Sequence, residues 1–162
     1  MNVDTVLAAF HTARVDCLLI GGMNFLLRHQ PVLTFDIDIW IKDDGDNRRR
    51  CEQALAALEA EWGPDDRSWG PVERLAPGWL DRGPVFCLTS PHGAIDIFRN
   101  VEGLDDWAAA RARADTMRTA AGTEYVSLSD RDMLACQLAL PQEARKLDRT
   151  RYLRRALGES HE

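Results

Sequence analysis

The sequence predicts a single domain of the α/β (α+β) class, in which helices flank a mixed β-sheet and a helical segment closes the chain. Two observations predict this class. The 162 residues, of which 45% are hydrophobic and 28% charged, suffice for one domain with a hydrophobic core. Strand-like and helix-like patterns mix through residues 1–126, whereas helical patterns dominate residues 127–162. We therefore expect residues 1–126 to form the core and residues 127–162 a C-terminal helical segment of the same domain.

The first half of the chain alternates between helices and strands. Val3, Val6 and Phe10 share one face of a helix, and the apolar run that follows ends at two glycines, as a buried strand does at a tight turn. Pro31 interrupts the next helical pattern, and a run of β-forming residues starts at Phe35. These patterns predict helices over 3–14, 23–29 and 48–62 and strands over 15–20 and 35–41.

The second half is less regular. Residues 63–84 contain four glycines and four prolines, which predicts a loop or a short hairpin. Ser129, with Asp132 three residues later, is typical of a capped helix start, and Pro141 can open a final helix. The remaining patterns predict strands over 85–88 and 94–98, a helix over 104–111, a hairpin of 114–119 with 124–126, and helices over 129–140 and 141–157.

Composition argues against several classes of protein. No apolar run is long enough to span a membrane and the N-terminus lacks the basic cluster of a secretory signal, so we expect a cytoplasmic protein with no membrane partner. The cysteines and histidines lack the spacing of a zinc site. The net charge of −6 disfavours a broad nucleic-acid surface. The basic segment Arg145–Arg155 is either a local phosphate contact or a solvated helix face.

Gly21 and Gly22 stand between a predicted strand and a predicted helix. Glycine in that place lets main-chain N–H groups approach a phosphate, and the N-terminus of the helix adds a favourable dipole. The alternative is a plain turn, because Gly-Gly turns are common. The pair therefore indicates a phosphate site only together with other residues.

Three aspartates lie in otherwise apolar predicted strands. Asp36 and Asp38 are two residues apart, so they share one strand face at a separation of about 6.5–7 Å. Asp96 stands alone in the strand over 94–98 and, on a neighbouring strand, would complete a three-carboxylate site for two metal ions. Such a site suits Mg²⁺ or Mn²⁺, which also take substrate phosphate oxygens as ligands. The alternative is a set of solvent-facing carboxylates on amphipathic strands.

The order of these residues carries a family resemblance. Ile20-Gly21-Gly22, then thirteen residues, then Asp36-Ile37-Asp38-Ile39 and a later Asp96 resembles the nucleotidyltransferase superfamily related to DNA polymerase β. Within it, the chain is similar to the minimal nucleotidyltransferases, including small bacterial proteins akin to abortive-infection toxins, and antibiotic nucleotidyltransferases share the same core. The resemblance implies a nucleotidyltransferase fold and Mg²⁺-dependent transfer of a nucleoside monophosphate from an NTP to a hydroxyl acceptor.

The resemblance also implies roles for individual residues. The two glycines would contact the nucleotide phosphates, and the first two aspartates would bind both metal ions. Asp96 would bind the catalytic metal and help to deprotonate the acceptor hydroxyl. Thr34 matches a threonine often found two residues before the first aspartate. Lys146 belongs to a Lys-x-Asp segment that is loosely similar to the helical end of these proteins, and it would contribute to nucleotide binding.

The chain departs from the family pattern at three places. Val32 stands where many relatives carry an arginine, Gln137 where they tend to carry a lysine, and Met23 where a small residue is usual. These departures favour either a degenerate, non-catalytic protein or triphosphate binding through other basic residues. The candidates are Arg28, Lys42 and Lys146.

Several alternatives remain open on the sequence. The acceptor is an RNA end such as that of a tRNA, a protein side chain or a small molecule, and a toxin–antitoxin or defence setting would add a cognate antitoxin or a homodimer as partner. The alternative functions are a degenerate, non-catalytic binding protein and an antibiotic-modifying nucleotidyltransferase. Trp69 and Trp79 either stack on a base or pack the loop onto the body, and His92 is either an acceptor-side group or an ordinary turn residue.

Overall fold

The computed structural model describes residues 1–159; the last three residues of the predicted C-terminal segment, 160–162, lie outside the described residues. The helices are α1 (Val3–Thr12), α2 (Gly21–Arg28), α3 (Gly45–Ala57), α4 (Trp107–Arg113), α5 (Asp130–Ala139) and α6 (Leu147–Ala156). The strands are β1 (Cys17–Ile20), β2 (Asp36–Ile41), β3 (Glu61–Trp62), β4 (Gly70–Pro71), β5 (Val85–Leu88), β6 (Ala94–Phe98), β7 (Asp115–Arg118) and β8 (Glu124–Ser127). No helix within residues 1–159 is both long and apolar enough to cross a bilayer.

Six strands form one mixed sheet in the order β5-β6-β2-β1-β8-β7. β2 pairs with β6, and β1 with β8, in parallel, whereas β1–β2, β5–β6 and β7–β8 are antiparallel pairs. The mixed sheet predicted from the sequence is therefore confirmed, including the strands over 85–88 and 94–98. The predicted hairpin of 114–119 with 124–126 corresponds to β7 and β8. β3 and β4 form a separate two-stranded ribbon.

Each face of the sheet is covered by a different set of helices. On one face, Ile37, Ile39 and Ile41 of β2 are fully buried in a core that also contains the apolar side chains of α1 and α3. On the other face, Trp40 packs in a second core with residues of α5 and α6 such as Leu134 and Leu153. The alternation along β2 thus sends its isoleucines to one core and leaves its aspartates on the face of the C-terminal helices.

The prediction of a helix over 48–62 is wrong at both ends. α3 begins earlier because the Asp44 side chain caps it, accepting a hydrogen bond from the Asn47 N–H at 2.8 Å. It ends at Ala57 because Glu59 takes a left-handed conformation (φ 55°). The following residues leave the helix, and Glu61 pairs with Thr89 at the end of β5.

The prediction that Pro141 opens the final helix is also wrong. A single 3₁₀ turn (Gln142–Ala144) follows the proline, and α6 begins only at Leu147. The Arg145 guanidinium donates to the carbonyl oxygens of Leu138 and Leu140, at 2.9 Å each, and so satisfies the C-terminal end of α5. The chain must stay non-helical to make these bonds.

The glycine- and proline-rich segment 63–84 is a packed loop. It contains β4 and two 3₁₀ turns, and Trp79 within it is buried and stacks on Trp62 with ring centroids 5.6 Å apart. Trp79 therefore packs the loop onto the body of the domain, which was one of the two alternatives left open by the sequence. Trp69 is 40% exposed.

Smaller differences lie at the ends of three elements. β1 starts at Cys17 and α2 at Gly21, so the two glycines belong to the helix. α4 is shifted to Trp107–Arg113 because the Asp106 side chain accepts a hydrogen bond from the Ala109 N–H at 2.7 Å. Ser129 caps α5 as expected, accepting from the Asp132 N–H at 3.1 Å.

Candidate active site

The register of two parallel strands brings the three aspartates together. Asp38 of β2 lies directly opposite Asp96 of β6, and Asp36 lies opposite Ala94. Asp36 and Asp38 share one strand face, so all three carboxylates project from the same side of the sheet. One oxygen from each lies within 4.8 Å of the others, and all three side chains are half-buried. The geometry is that of a three-carboxylate cluster at the edge of the C-terminal helical layer.

The cluster is electrostatically unfavourable on its own. Burial, together with the neighbouring charges of Asp36 and Asp96, raises the pKa of Asp38 to about 7. Burial and the charge of Asp36 also raise the pKa of Asp96, although a hydrogen bond with Cys87 opposes this shift. A divalent cation would remove this repulsion, and the all-oxygen donor set fits Mg²⁺ or Mn²⁺.

The diglycine turn is packed tightly against these carboxylates. Gly21 has a positive φ of 69°, and the Asp38 carboxylate lies where a side chain on Gly21 would have to be. A Cβ on Gly22 would come within 2.9 Å of the Thr34 Oγ1 atom. Both glycines are therefore needed for the main chain at the start of α2 to approach the aspartate strand so closely.

Thr34 links the loop after α2 to strand β2, which carries Asp36 and Asp38. Its hydroxyl group donates a hydrogen bond to the main-chain carbonyl oxygen of Asp36 at 3.2 Å. Its side chain also lies against Gly22. The structure thus places Thr34 beside the site, where it supports the loop between α2 and β2.

Arg149 of α6 is a site residue that the sequence reasoning missed. Its guanidinium lies over the Phe25 ring, with Cζ 5.4 Å from the ring centroid, and its Nη2 atom would be 3.3 Å from a Cβ on Gly22. Burial lowers the pKa of Arg149, and the charge of Asp38 opposes that shift. Arg149 lies four residues before the fully buried Leu153, so the periodicity of α6 turns both toward the body.

The basic residues named from the sequence lie elsewhere or point to solvent. Arg28 is held by Asp115 and Asp130, with N–O distances of 3.0 and 3.1 Å, and Lys42 lies 3.8 Å from Asp44. The exposed Lys146 precedes α6. Its main-chain N–H donates a hydrogen bond to the Gln137 Oε1 atom at 2.8 Å. The predicted role of Lys146 in nucleotide binding stays a prediction.

Gln137, which stands where relatives tend to have a lysine, is buried and helps to join α5 to the start of α6. His92 lies in the turn between β5 and β6. Its main-chain carbonyl accepts a hydrogen bond from the Asn2 N–H at 2.7 Å, and its own main-chain N–H donates to the Ser90 hydroxyl at 3.1 Å. These main-chain bonds agree with an ordinary turn residue.

The sheet face beside the aspartates is open toward the edge strand β5. Val85 and the Cys87 thiol are exposed, and Cys87 lies opposite Asp96 in the register. Residues of the C-terminal helices pack on Leu18 and Ile20 of β1 and on Trp40 of β2, whereas β5 beside Asp96 keeps exposed side chains.

Comparisons with known proteins give a likeness of fold. No protein-family model matches the chain, and no curated protein sequence matches it. Two structures of the antibiotic-resistance factor ANT(2″)-Ia, one in solution and one a crystal structure with adenylyl-2″-tobramycin, match with TM-scores of 0.58 and 0.59 at 15% identity. Both matches cover 96% of this chain, and they cover 82% and 87% of the respective neighbour chains.

A third structure is that of a candidate nucleotidyltransferase of Thermotoga maritima. It matches with a TM-score of 0.53 at 14% identity, over 98% of this chain and 91% of the other. The chain therefore has the nucleotidyltransferase fold. At these identities the likeness concerns the fold alone, and the similarity to abortive-infection toxins stays a prediction.

Proposed function

We propose that this protein is a nucleotidyltransferase that moves a nucleoside monophosphate from an NTP to a hydroxyl acceptor, with Mg²⁺ or Mn²⁺ held by Asp36, Asp38 and Asp96. The observation that carries the proposal is the convergence of these three carboxylates within 4.8 Å of one another, next to a glycine turn at the start of a helix. The shared fold with known nucleotidyltransferases supports it.

Burial of acidic groups supports a role in cation binding rather than in fold stability. Three half-buried carboxylates on one sheet face repel one another when ionised, and burial together with this repulsion raises the pKa of Asp38 and Asp96. Such an arrangement is expected where a bound cation neutralises the negative charge of the carboxylates. When bound, Mg²⁺ would neutralise phosphate charge and lower the pKa of the attacking hydroxyl group.

In the proposed reaction, the acceptor hydroxyl oxygen attacks the α-phosphorus of the NTP and forms a new P–O bond. The bond from the α-phosphorus to the oxygen that bridges to the β-phosphate breaks, and pyrophosphate leaves with that electron pair. The Asp96 carboxylate accepts the hydroxyl proton and passes it to water. The main chain of Gly21 and Gly22, at the N-terminus of α2, faces the phosphates.

The acceptor reaches Asp96 across the open face formed by β5. An RNA end, a protein hydroxyl and a small molecule are all compatible with that face. The ANT(2″)-Ia neighbour, whose structure contains an adenylylated tobramycin, makes an antibiotic-like small molecule one acceptor to test. A toxin setting, with an antitoxin or a second copy of the chain as partner, rests on the sequence resemblance.

The test is transfer of label from each α-³²P-NTP, with Mg²⁺ or Mn²⁺, to RNA, to protein or to tobramycin. We expect Asp38→Asn to reduce transfer by about a hundredfold or more while the protein stays folded, because the variant loses a metal ligand. Asp66→Asn is the matched control, since Asp66 is exposed and lies outside the cluster.

The outcomes separate the candidate functions. Binding of Mn²⁺ and NTP without transfer to any acceptor would favour the non-catalytic binding protein. Failure of the wild-type protein to bind Mn²⁺ would overturn the proposed function. If the toxin setting holds, expression of the wild-type chain arrests growth of a bacterial host, whereas expression of Asp38→Asn does not.

A further inference from the structure

Arg149 is half-buried, and the buried part of its guanidinium lacks a hydrogen-bond partner among the described residues. Its Nε atom is inaccessible to solvent and has no hydrogen-bond partner among residues 1–159. The neighbouring arginines on α6 differ: Arg151 is 66% exposed and lies 3.7 Å from Asp148, and Arg154 lies 4.0 Å from Glu159. Arg149 is thus turned into the body while the arginines around it face solvent.

Three contacts fix where the guanidinium lies. It stacks over the Phe25 ring, it abuts Gly22, and it borders a cavity of about 100 Å³ together with Gly21 and Gln137. The cation therefore sits at the diglycine turn, close enough to Asp38 to be influenced by its charge.

An arginine in this position is costly for the protein alone. A buried cation is tolerated when it is paired and hydrogen-bonded, and an unsatisfied buried donor costs free energy. Asp38 does not supply the missing bond, because the Nε atom of Arg149 has no hydrogen-bond partner among the described residues. An anion bound at the turn would supply it.

We propose that Arg149 binds the polyphosphate chain of the nucleotide at the diglycine turn. This inference rests on the proposed function. The planar guanidinium offers several N–H donors in a fixed geometry, which suits phosphate oxygens better than an ammonium does. Helix α6 thereby becomes part of the substrate site, although Lys146 at its start points to solvent.

The test measures binding rather than turnover. Calorimetric titration first gives Mn²⁺ binding to the wild-type protein, to Arg149→Gln, to Arg149→Lys and to Arg151→Gln. Each protein is then titrated, in the presence of Mn²⁺, with tripolyphosphate, pyrophosphate and non-hydrolysable ATP and GTP analogues. Arg151→Gln is the matched control, because it removes the same kind of charge from the exposed side of the same helix.

We expect Arg149→Gln to keep Mn²⁺ binding and to bind tripolyphosphate and the NTP analogues at least about tenfold more weakly than the wild type. Arg149→Lys should lie between the two, and Arg151→Gln should stay within about twofold of the wild type. With a labelled NTP as substrate, Arg149→Gln raises KM more than it lowers kcat.

Equal weakening in Arg149→Gln and Arg151→Gln would overturn the inference, because a general basic surface would then explain the binding. Unchanged polyphosphate binding in Arg149→Gln, with Mn²⁺ still bound, would also overturn the inference, and in that case the proposed function would stand.

If Arg149→Gln fails to fold, as judged by circular dichroism, Arg149→Lys provides the test. Wild-type affinity of Arg149→Lys for both tripolyphosphate and the NTP analogues overturns the inference. Weaker binding of pyrophosphate alone, with NTP binding unchanged, would also count against it. Absence of Mn²⁺ binding in the wild type overturns the proposed function and this inference with it.

Discussion

The Asp38 carboxylate occupies the space that a side chain on Gly21 would need. Gly21→Ala should therefore disturb the aspartate cluster directly, in addition to the cost of placing alanine at a φ of 69°. We expect a loss of about 1–2 kcal/mol from the backbone alone and at least a tenfold loss of Mn²⁺ affinity from the displaced carboxylate. Urea unfolding and calorimetric Mn²⁺ titration measure the two effects.

Gly158→Ala is the control for this prediction. Gly158 has nearly the same φ, 72°, but apart from its chain neighbours no atom of residues 1–159 lies within 4 Å of a Cβ placed there. It should show the backbone cost without any change in Mn²⁺ affinity. Wild-type Mn²⁺ affinity in Gly21→Ala would show that Asp38 can move aside and that the contact is unimportant for the cluster.

Asn24 holds α2, and with it the diglycine turn, against β8 and α5. It is fully buried, its amide donates to the Leu128 carbonyl at 3.0 Å, and its carbonyl accepts from the Ser127 hydroxyl at 2.6 Å. Asn24→Ala removes the donor to the Leu128 carbonyl and the acceptor of the Ser127 hydroxyl proton inside the core, so we expect a loss of about 2–4 kcal/mol in the free energy of unfolding. Urea unfolding measures it, with the exposed Asn100→Ala as a control that should change little. A loss below about 0.5 kcal/mol in Asn24→Ala would contradict this role.

The aspartates could be found from the sequence because their signal is local. Asp36 and Asp38 stand out against an apolar strand, and the period of a strand puts them on one face. Asp96 stands out in the same way, but its position opposite Asp38 depends on the pairing of β2 with β6, whose paired residues are 58 positions apart in the chain. Strand pairing over that distance is set by tertiary packing. From the sequence alone, the three-carboxylate site could therefore be predicted only if the strand of Asp96 is assumed to lie next to that of Asp38.

Arg149 could not be assigned to the site by the same reasoning. A run of basic residues usually marks a solvated helix face, and the sequence does not say which member turns inward until the start of α6 is known. That start was mispredicted at Pro141, since the hydrogen bonds of Arg145 to the end of α5 are not visible in any local pattern. The end of α3 was missed for a related reason, because a non-glycine residue, Glu59, takes the left-handed conformation there.

Glu52 holds the glycine- and proline-rich segment in place. Its buried carboxylate accepts hydrogen bonds from the Gly78 and Leu80 N–H groups at 3.0 Å and pairs with Arg49 at 3.0 Å. Glu52→Ala should cost about 2–4 kcal/mol, because two main-chain donors lose their partner. Trp79 lies between these bonds, so its fluorescence should shift to the red if the segment opens. The exposed neighbour Gln53→Ala is the control, and an unchanged spectrum and stability in Glu52→Ala would contradict this anchoring role.

The raised pKa of Asp38 predicts opposite effects of pH on stability and on metal binding. In the unfolded chain this carboxyl group ionises near its ordinary pKa of 3.8, whereas in the fold it keeps its proton up to about pH 7. The folded protein therefore binds more protons between about pH 4 and pH 7, and the free energy of unfolding falls as pH rises through that window. One proton accounts for at most about 1.4 kcal/mol per pH unit, and Asp96 acts in the same direction.

Metal binding requires the ionised carboxylates, so Mn²⁺ affinity should rise over the same window and level off above about pH 7. Thermal unfolding at pH 5, 6, 7 and 8, in EDTA and in Mn²⁺, measures both effects. In EDTA the melting temperature should fall from pH 5 to pH 7, and the stabilisation by Mn²⁺ should grow. Asp38→Asn removes the titrating group together with a ligand, so it should flatten the EDTA profile and abolish most of the Mn²⁺ effect. A profile in EDTA that rises with pH, or one that Asp38→Asn leaves unchanged, would show that the cluster is not under the electrostatic strain on which its proposed affinity for cations depends.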